Sequence, residues 1–105
     1  MELPDPTLKI IKETVNLQFS NAELLLFGSR TGTEHRAESD YDLLIILDTP
    51  LDNHHRLYYQ ALIRKALARQ NILADIIIQS KAEIEIKKKL PGHIIRSAVQ
   101  QGIRV

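Results

Sequence analysis

Three short stretches carry residues whose types and spacing could do chemistry. Asp40-Tyr41-Asp42 sets two carboxylates two positions apart at the entrance to an apolar run. In extended backbone, residues i and i+2 point to one side, so Asp40 and Asp42 would face together with Tyr41 opposite. Two like charges that close repel, and partial burial makes holding both costlier. A divalent cation between them relieves both problems, and magnesium favours carboxylate oxygens combined with phosphate oxygens. Taken alone, the pair also fits a turn-capping Asp40 beside a solvated strand end at Asp42.

Asp75 lies inside Leu73-Ala74-Asp75-Ile76-Ile77-Ile78. A carboxylate within so apolar a run is expected to be costly without a cation or hydrogen-bond donors. A salt bridge to a lysine or arginine would serve equally well. Adjacent strands lie about 4.8 Å apart, so Asp75 reaches the Asp40/Asp42 face if its strand neighbours theirs. Three carboxylates there could hold two metal ions about 3.5–4 Å apart, as in-line phosphoryl transfer requires. Gly28-Ser29 follows another apolar run. Glycine lets backbone approach a ligand closely, and the serine hydroxyl with neighbouring N–H groups can bind phosphate. By itself such a pair is also an ordinary turn.

The elements that must position these residues follow from periodicity. Asp5-Pro6 reads as an N-cap with proline at the first helical position. Leu8, Ile11 and Val15 then mark one face of a helix ending near Ser20-Asn21. Ala22 to Phe27 reads as a strand closed by Gly28, and Ser29 to Ser39 as a polar loop. Leu43 to Leu47 is apolar throughout, as expected of a strand covered on both faces. A helix is predicted from Asp52 or Asn53 to Gln70, with Leu57, Ala61 and Ala68 on one stripe and Tyr59, Ile63 and Leu67 beside it. A third strand covers Leu73 to Gln79. Ser80 to Leu90 alternates like a strand at Ile84 and Ile86 but has helical composition, and a short helix is favoured. Pro91 opens a last helix through Gln101, which Gly102 caps at the C′ position.

With 105 residues, the chain reads as one domain spanning 1–105. Hydrophobic residues make up 44%, enough for one core, and the net charge of +1 argues against direct, sequence-independent nucleic-acid binding. The absence of cysteine removes disulfides, thiolate metal sites and cysteine nucleophiles. The acidic, proline-broken start is unlike a signal peptide, and no apolar run could span a bilayer, so a cytoplasmic protein with no membrane partner is expected.

Gly28-Ser29-Arg30 followed by Ser39-Asp40-Tyr41-Asp42-Leu43 resembles the signature of the DNA polymerase β-like nucleotidyltransferase superfamily, and within it the minimal nucleotidyltransferase (MNT) branch. The separation between the Gly-Ser and Asp-x-Asp pairs agrees without a gap. Asp75 matches the family's third carboxylate, and Pro91-Gly92-His93 through Ala98, Gly102 and Ile103 resembles the branch's closing helix. The loop departs at Thr31-Gly32-Thr33, where the family often has alanine, arginine and glycine.

The resemblance implies an α+β nucleotidyltransferase fold: a small mixed sheet of three core strands, with room for a short C-terminal strand, flanked by helices. It implies that Asp40, Asp42 and Asp75 are catalytic and ligate two Mg2+ ions, with Asp75 helping to deprotonate an acceptor hydroxyl. Gly28, Ser29 and Arg30 would bind the triphosphate, with ATP the expected substrate and AMP the transferred group. It further implies an antitoxin that modifies a tyrosine on a HEPN-domain protein encoded nearby. The other readings are a non-catalytic module that neutralises its partner by covering it, and a nucleotide-sensing subunit. Exposed apolar positions on the first and last helices could also serve a homo-oligomer.

Other signals read as structural. His54 and His55 point about 100° apart on a helix, a poor chelating pair, and His35 and His93 lack metal-site spacing. Lys87-Lys88-Lys89 fits a solvated helix end, where cations favour the dipole. Of Tyr58 and Tyr59, one is expected to pack and the other to be exposed.

Overall fold

The computed structural model describes residues 6–27 and 41–105. Among these, the order is α1 (Pro6–Gln18), β1 (Glu23–Phe27), β2 (Tyr41–Leu47), α2 (Asn53–Ala68), β3 (Ala74–Ser80), α3 (Lys81–Lys87), α4 (Ile94–Gln101) and β4 (Ile103–Arg104). The strands form one mixed sheet in the order β3-β2-β1-β4. β1 runs antiparallel to both β2 and β4, whereas β2 and β3 are parallel. The short C-terminal strand is thus present, extended by the Val105 N–H donating to the Leu24 carbonyl at 3.0 Å.

Alternation along the strands sends side chains to two faces. Leu24, Leu26, Leu43, Ile45, Ile76 and Ile78 pack in one cluster with Ile11 and Val15 of α1 and with Ile63 and Leu67 of α2. Phe27, Leu44 and Ile46 pack on the other face with Ile84, Ile95 and Ala98 of α3 and α4. Being covered on both sides is why β2 tolerates an unbroken apolar run. Leu43, Leu44 and Ile45 are completely buried.

Several boundaries differ from expectation for identifiable reasons. α1 stops at Gln18 rather than near Ser20-Asn21, because a turn closed by the Ala22 N–H on the Phe19 carbonyl takes over. β2 starts at Tyr41, two residues early, because the Tyr41 N–H joins the ladder through the Leu73 carbonyl at 2.9 Å. On α2 the packed stripe is Ile63 and Leu67, both buried, with the half-buried Tyr59 edge-on against Phe19 at 5.0 Å. Leu57 and Ala68, expected on a packed stripe, are exposed. Tyr58 is the exposed tyrosine of the pair.

Within Ser80–Leu90 the helix is α3, Lys81–Lys87, and its start carries a signal that composition alone obscured. Ser80 and Glu83 form a capping box: the Glu83 N–H donates to Ser80 Oγ and the Ser80 N–H donates to Glu83 Oε1. Burial works to raise the Glu83 carboxyl, but the hydrogen bonds from Ser80 outweigh it and hold the group below its ordinary value. Its stabilising contribution is therefore full above the ordinary carboxylate range. It is lost as pH falls through the depressed folded-state value. Ser80→Ala should destabilise the fold by about 1 kcal/mol. It should also flatten part of the loss of stability on acidification, followed by thermal unfolding between pH 7 and 3.

α4 begins at Ile94 rather than Pro91. Gly92 adopts a φ of +74° in the turn, and His93 becomes the N-cap, its Nδ1 accepting from the Ile95 N–H at 3.1 Å. Gly102 follows the helix, but not in the left-handed conformation expected of a C′ glycine; its φ is −69° and its ψ 149°. Its requirement is space. A Cβ there would overlap the Ala98 carbonyl oxygen and press on Leu25 Cβ at 3.3 Å. Gly102→Ala should cost about 1–3 kcal/mol by overpacking, read as a lower Tm by circular dichroism.

Candidate active site

The sheet order supplies the condition on which the acidic site depended. β3 is the direct neighbour of β2, and Asp42 and Asp75 are register partners. Asp42 shares its strand face with Leu44, and Asp75 shares its face with Ile77. Both therefore stand on the sheet face that α3 and α4 cover further along. Tyr41 sits on the opposite face, buried in the α1/α2 cluster. On β1, the register partner of Asp42 is Phe27, a buried apolar neighbour.

Of the residues singled out, Gly28, Ser29, Arg30 and Asp40 lie outside the described residues, as do Thr31-Gly32-Thr33 and His35. The structure brings together the remaining two, Asp42 and Asp75. Asp42 is half-buried and Asp75 exposed. The expectation that Asp75 bears a desolvation cost in the middle of an apolar strand is corrected. Asp75 is the second residue of β3, next to the strand's open end, so water reaches it. Its pairing with Asp42 rests on register, not on burial.

Two negative charges about 5 Å apart repel by roughly 1 kcal/mol in water and roughly 3 kcal/mol at an effective dielectric near 20. A half-buried carboxylate facing a solvated one on the next strand lies between these limits. That donor set, oxygen-only and doubly charged, fits a hard divalent cation that keeps part of its water shell. Among the described residues no ion pair engages Asp75, and no group of three or more His, Asp or Glu side chains gathers as a metal cluster.

The residue sequence reasoning missed is Arg64. It lies in α2 and lines two clefts that flank Asp75. One, of about 230 Å³, is lined by Leu57, Gln60, Arg64, Asp75 and Ile76 among others; the second, of about 320 Å³, by Arg64, Lys65, Leu73, Ala74 and Asp75 among others. The signal was available in part. Arg64 follows Gln60 by four residues and Leu57 by seven, which puts all three on one helix face.

The histidines and the lysine run behave as structural features. His55 Nδ1 contacts the Asp52 carboxylate at the start of α2, which lowers the Asp52 pKa. Lys88 pairs with Glu85 at 2.8 Å, and Lys87 Nζ donates to Gln79 Oε1 at 2.6 Å. Among the described residues no helix is long and apolar enough to cross a membrane.

A family model described as Polymerase beta, Nucleotidyltransferase matches residues 9–105. Among curated proteins nothing matches the chain. Solved structures give the same fold at low identity. A chain in a toxin–antitoxin MntA–HpeT complex carrying two aspartate-to-glutamate substitutions is 22% identical. Its TM-score is 0.59 over 95% of this chain and 72% of that one. A tyrosine-to-alanine mutant of MntA–HpeT gives 21% and 0.59, covering 92% and 68%. A complex of tri-AMPylated Shewanella oneidensis HEPN toxin with MNT antitoxin gives 20% and 0.54, covering 93% and 66%.

Proposed function

The chain belongs to the polymerase beta nucleotidyltransferase family, and from that premise we propose that it transfers AMP from ATP to a tyrosine hydroxyl of a HEPN-domain toxin, as an antitoxin. The observation that carries this reading is the register pairing of Asp42 with Asp75 on one face of adjacent parallel strands. The likeness in fold to chains of MntA–HpeT and HEPN–MNT complexes supports the choice of partner.

In this reading Asp40, Asp42 and Asp75 hold two magnesium ions, and Gly28, Ser29 and Arg30 hold the triphosphate. When bound, magnesium supplies neutralisation of the charge that builds on the phosphates. Asp75, reachable from solvent, orients the incoming hydroxyl and accepts its proton. The hydroxyl oxygen forms a bond to the α-phosphorus. The bond from that phosphorus to the oxygen bridging to the β-phosphate breaks, and pyrophosphate leaves with the electron pair. The protein's contribution is positioning and fixed charge.

The test uses ATP labelled at either the α- or the γ-phosphate, magnesium, and a HEPN-domain protein from the same gene neighbourhood. Nucleotidyl transfer puts the α-label on the toxin and leaves the γ-label in pyrophosphate. Label from the γ-position on the toxin, or none from either, would contradict the reading. The loop Thr31-Gly32-Thr33 favours a second reading, a module that neutralises by covering its partner. Only in that case does a variant lacking the Asp42 carboxylate neutralise the toxin fully.

A further inference from the structure

α2 joins the two parallel acidic strands and packs back along β3, its numbering falling as that of β3 rises. Gln60 marks where helix and strand meet, its Oε1 accepting from the Ile78 N–H at 3.1 Å. Arg64 follows one helical turn later. Four residues of helix advance about 6 Å and two residues of strand about 6.6 Å, so Arg64 stands level with Ile76, next to Asp75. Both clefts that flank Asp75 include Arg64 in their walls, and one of them also includes Lys65. A cation therefore borders Asp75 on the side of β3 away from β2.

Arg64 is exposed, and among the described residues no ion pair engages it or Lys65. Cations elsewhere have partners: Lys81 has Asp48, Lys88 has Glu85 and Arg104 has Glu23. α2 itself supplies none, since Asn53–Ala68 contains no aspartate or glutamate. Positive charge near a helix C-terminus gains from the dipole, but that gain does not require a place beside Asp75. The sheet order decides which anion Arg64 can meet. In the transferase reading the triphosphate lies at Gly28-Ser29, beyond Phe27 of β1, and β1 borders β2 on the side opposite to β3. Two strand spacings, about 9.6 Å, already separate β1 from β3. The space beside Arg64 is left to the acceptor. A guanidinium fork matches a carboxylate with two parallel hydrogen bonds.

We propose that Arg64 selects the acceptor: its guanidinium binds an aspartate or glutamate carboxylate of the acceptor polypeptide, beside the hydroxyl that Asp75 serves. This inference rests on the transferase reading above. Arg64 acts here as a specificity residue, touching the acceptor but not the phosphorus under attack. Asp42 and Asp75 alone would repel an acidic segment, and Arg64 offsets that repulsion where the segment arrives.

Two measurements on the full chain test this. The first follows the Arg64 Nε–H resonance by NMR, without nucleotide or metal. The probe is a short peptide with glutamates on both sides of a tyrosine, and its lysine-for-glutamate counterpart is the control. The acidic peptide should shift the resonance, with half-saturation at a concentration about tenfold or more below that of the lysine peptide. The second measures transfer of the α-label to the HEPN-domain protein from the same gene neighbourhood. Arg64→Glu should raise the KM for that protein by about tenfold or more, leaving kcat and the KM for ATP within about twofold. Arg64→Lys, which keeps the charge but not the fork, should recover part of the loss. An equal response to both peptides, an unchanged KM for the HEPN-domain protein, or a raised KM for ATP overturns the proposal. Because the peptide titration needs no catalysis, a selective shift without label transfer would sink the transferase reading alone. Label transfer without a selective shift would sink the role of Arg64 alone.

Discussion

Replacing Asp42 by asparagine is expected to lower AMP transfer by on the order of 10³-fold or more while the chain stays folded. The substitution keeps the shape of the side chain and the backbone ladder of β2 but removes one of two opposed carboxylates. Charge stabilisation at a transferring phosphoryl group is worth several kcal/mol, and each 1.4 kcal/mol is about tenfold in rate. On the stability side the balance is different. Asp42 is half-buried, and the repulsion it shares with Asp75 disappears, so Tm should shift by no more than about 4–8 °C, equivalent to roughly 1 kcal/mol. Initial rates with α-labelled ATP and thermal unfolding of the same sample separate the two effects. A loss of rate accompanied by unfolding would remove the catalytic inference.

The largest expected effect on stability lies one step along the same strand face. Leu44 is completely buried between β1, α3 and α4, in the cluster with Phe27, Ile46, Ile84, Ile95 and Ala98. Leu44→Ala deletes buried carbons and leaves a cavity that a sheet centre cannot collapse into, costing about 2–5 kcal/mol. For a domain of this size that lowers Tm by roughly 10–25 °C. Leu17→Ala, at a position 83% exposed on α1, serves as the control and should change stability by about 0.5 kcal/mol or less. Urea unfolding of both variants gives the comparison. Equal losses would mean that the α4 face does not pack as described. The Leu44 variant should also weaken catalysis, since Asp42 is held two residues away on the same strand.

How far the sequence foretold this molecule depends on where competing forces were local. The Leu8, Ile11 and Val15 stripe and the unbroken run at Leu43 to Leu47 were legible because burial on known faces leaves few alternatives. The pairing of Asp42 with Asp75 was readable only as a conditional statement, since strand order is a tertiary property. The reasoning from burial at Asp75 failed because it took an apolar neighbourhood in sequence for one in space; the strand's open end lies beside it. On α2 the sequence offered two stripes, roughly 140° apart by helix geometry, without deciding which of them packs. Leu57 consequently emerged as a solvent-facing wall of a cleft rather than as core. At the C-terminus Gly102 was correctly marked as special but for the wrong cause, close approach to Ala98 replacing left-handed backbone. Gln60 and Glu83, which close the outer edge of β3, could not be assigned from sequence, because their partners lie 18 residues away in one case and depend on a cap in the other.

Manganese binding followed by electron paramagnetic resonance, with a non-hydrolysable ATP analogue present, asks whether Asp42 and Asp75 hold a cation between them. The native chain should bind manganese in the presence of the analogue, and Asp42→Asn and Asp75→Asn should each weaken that binding by about tenfold or more. Binding in both variants indistinguishable from the native chain would contradict a shared metal site at this pair of strands.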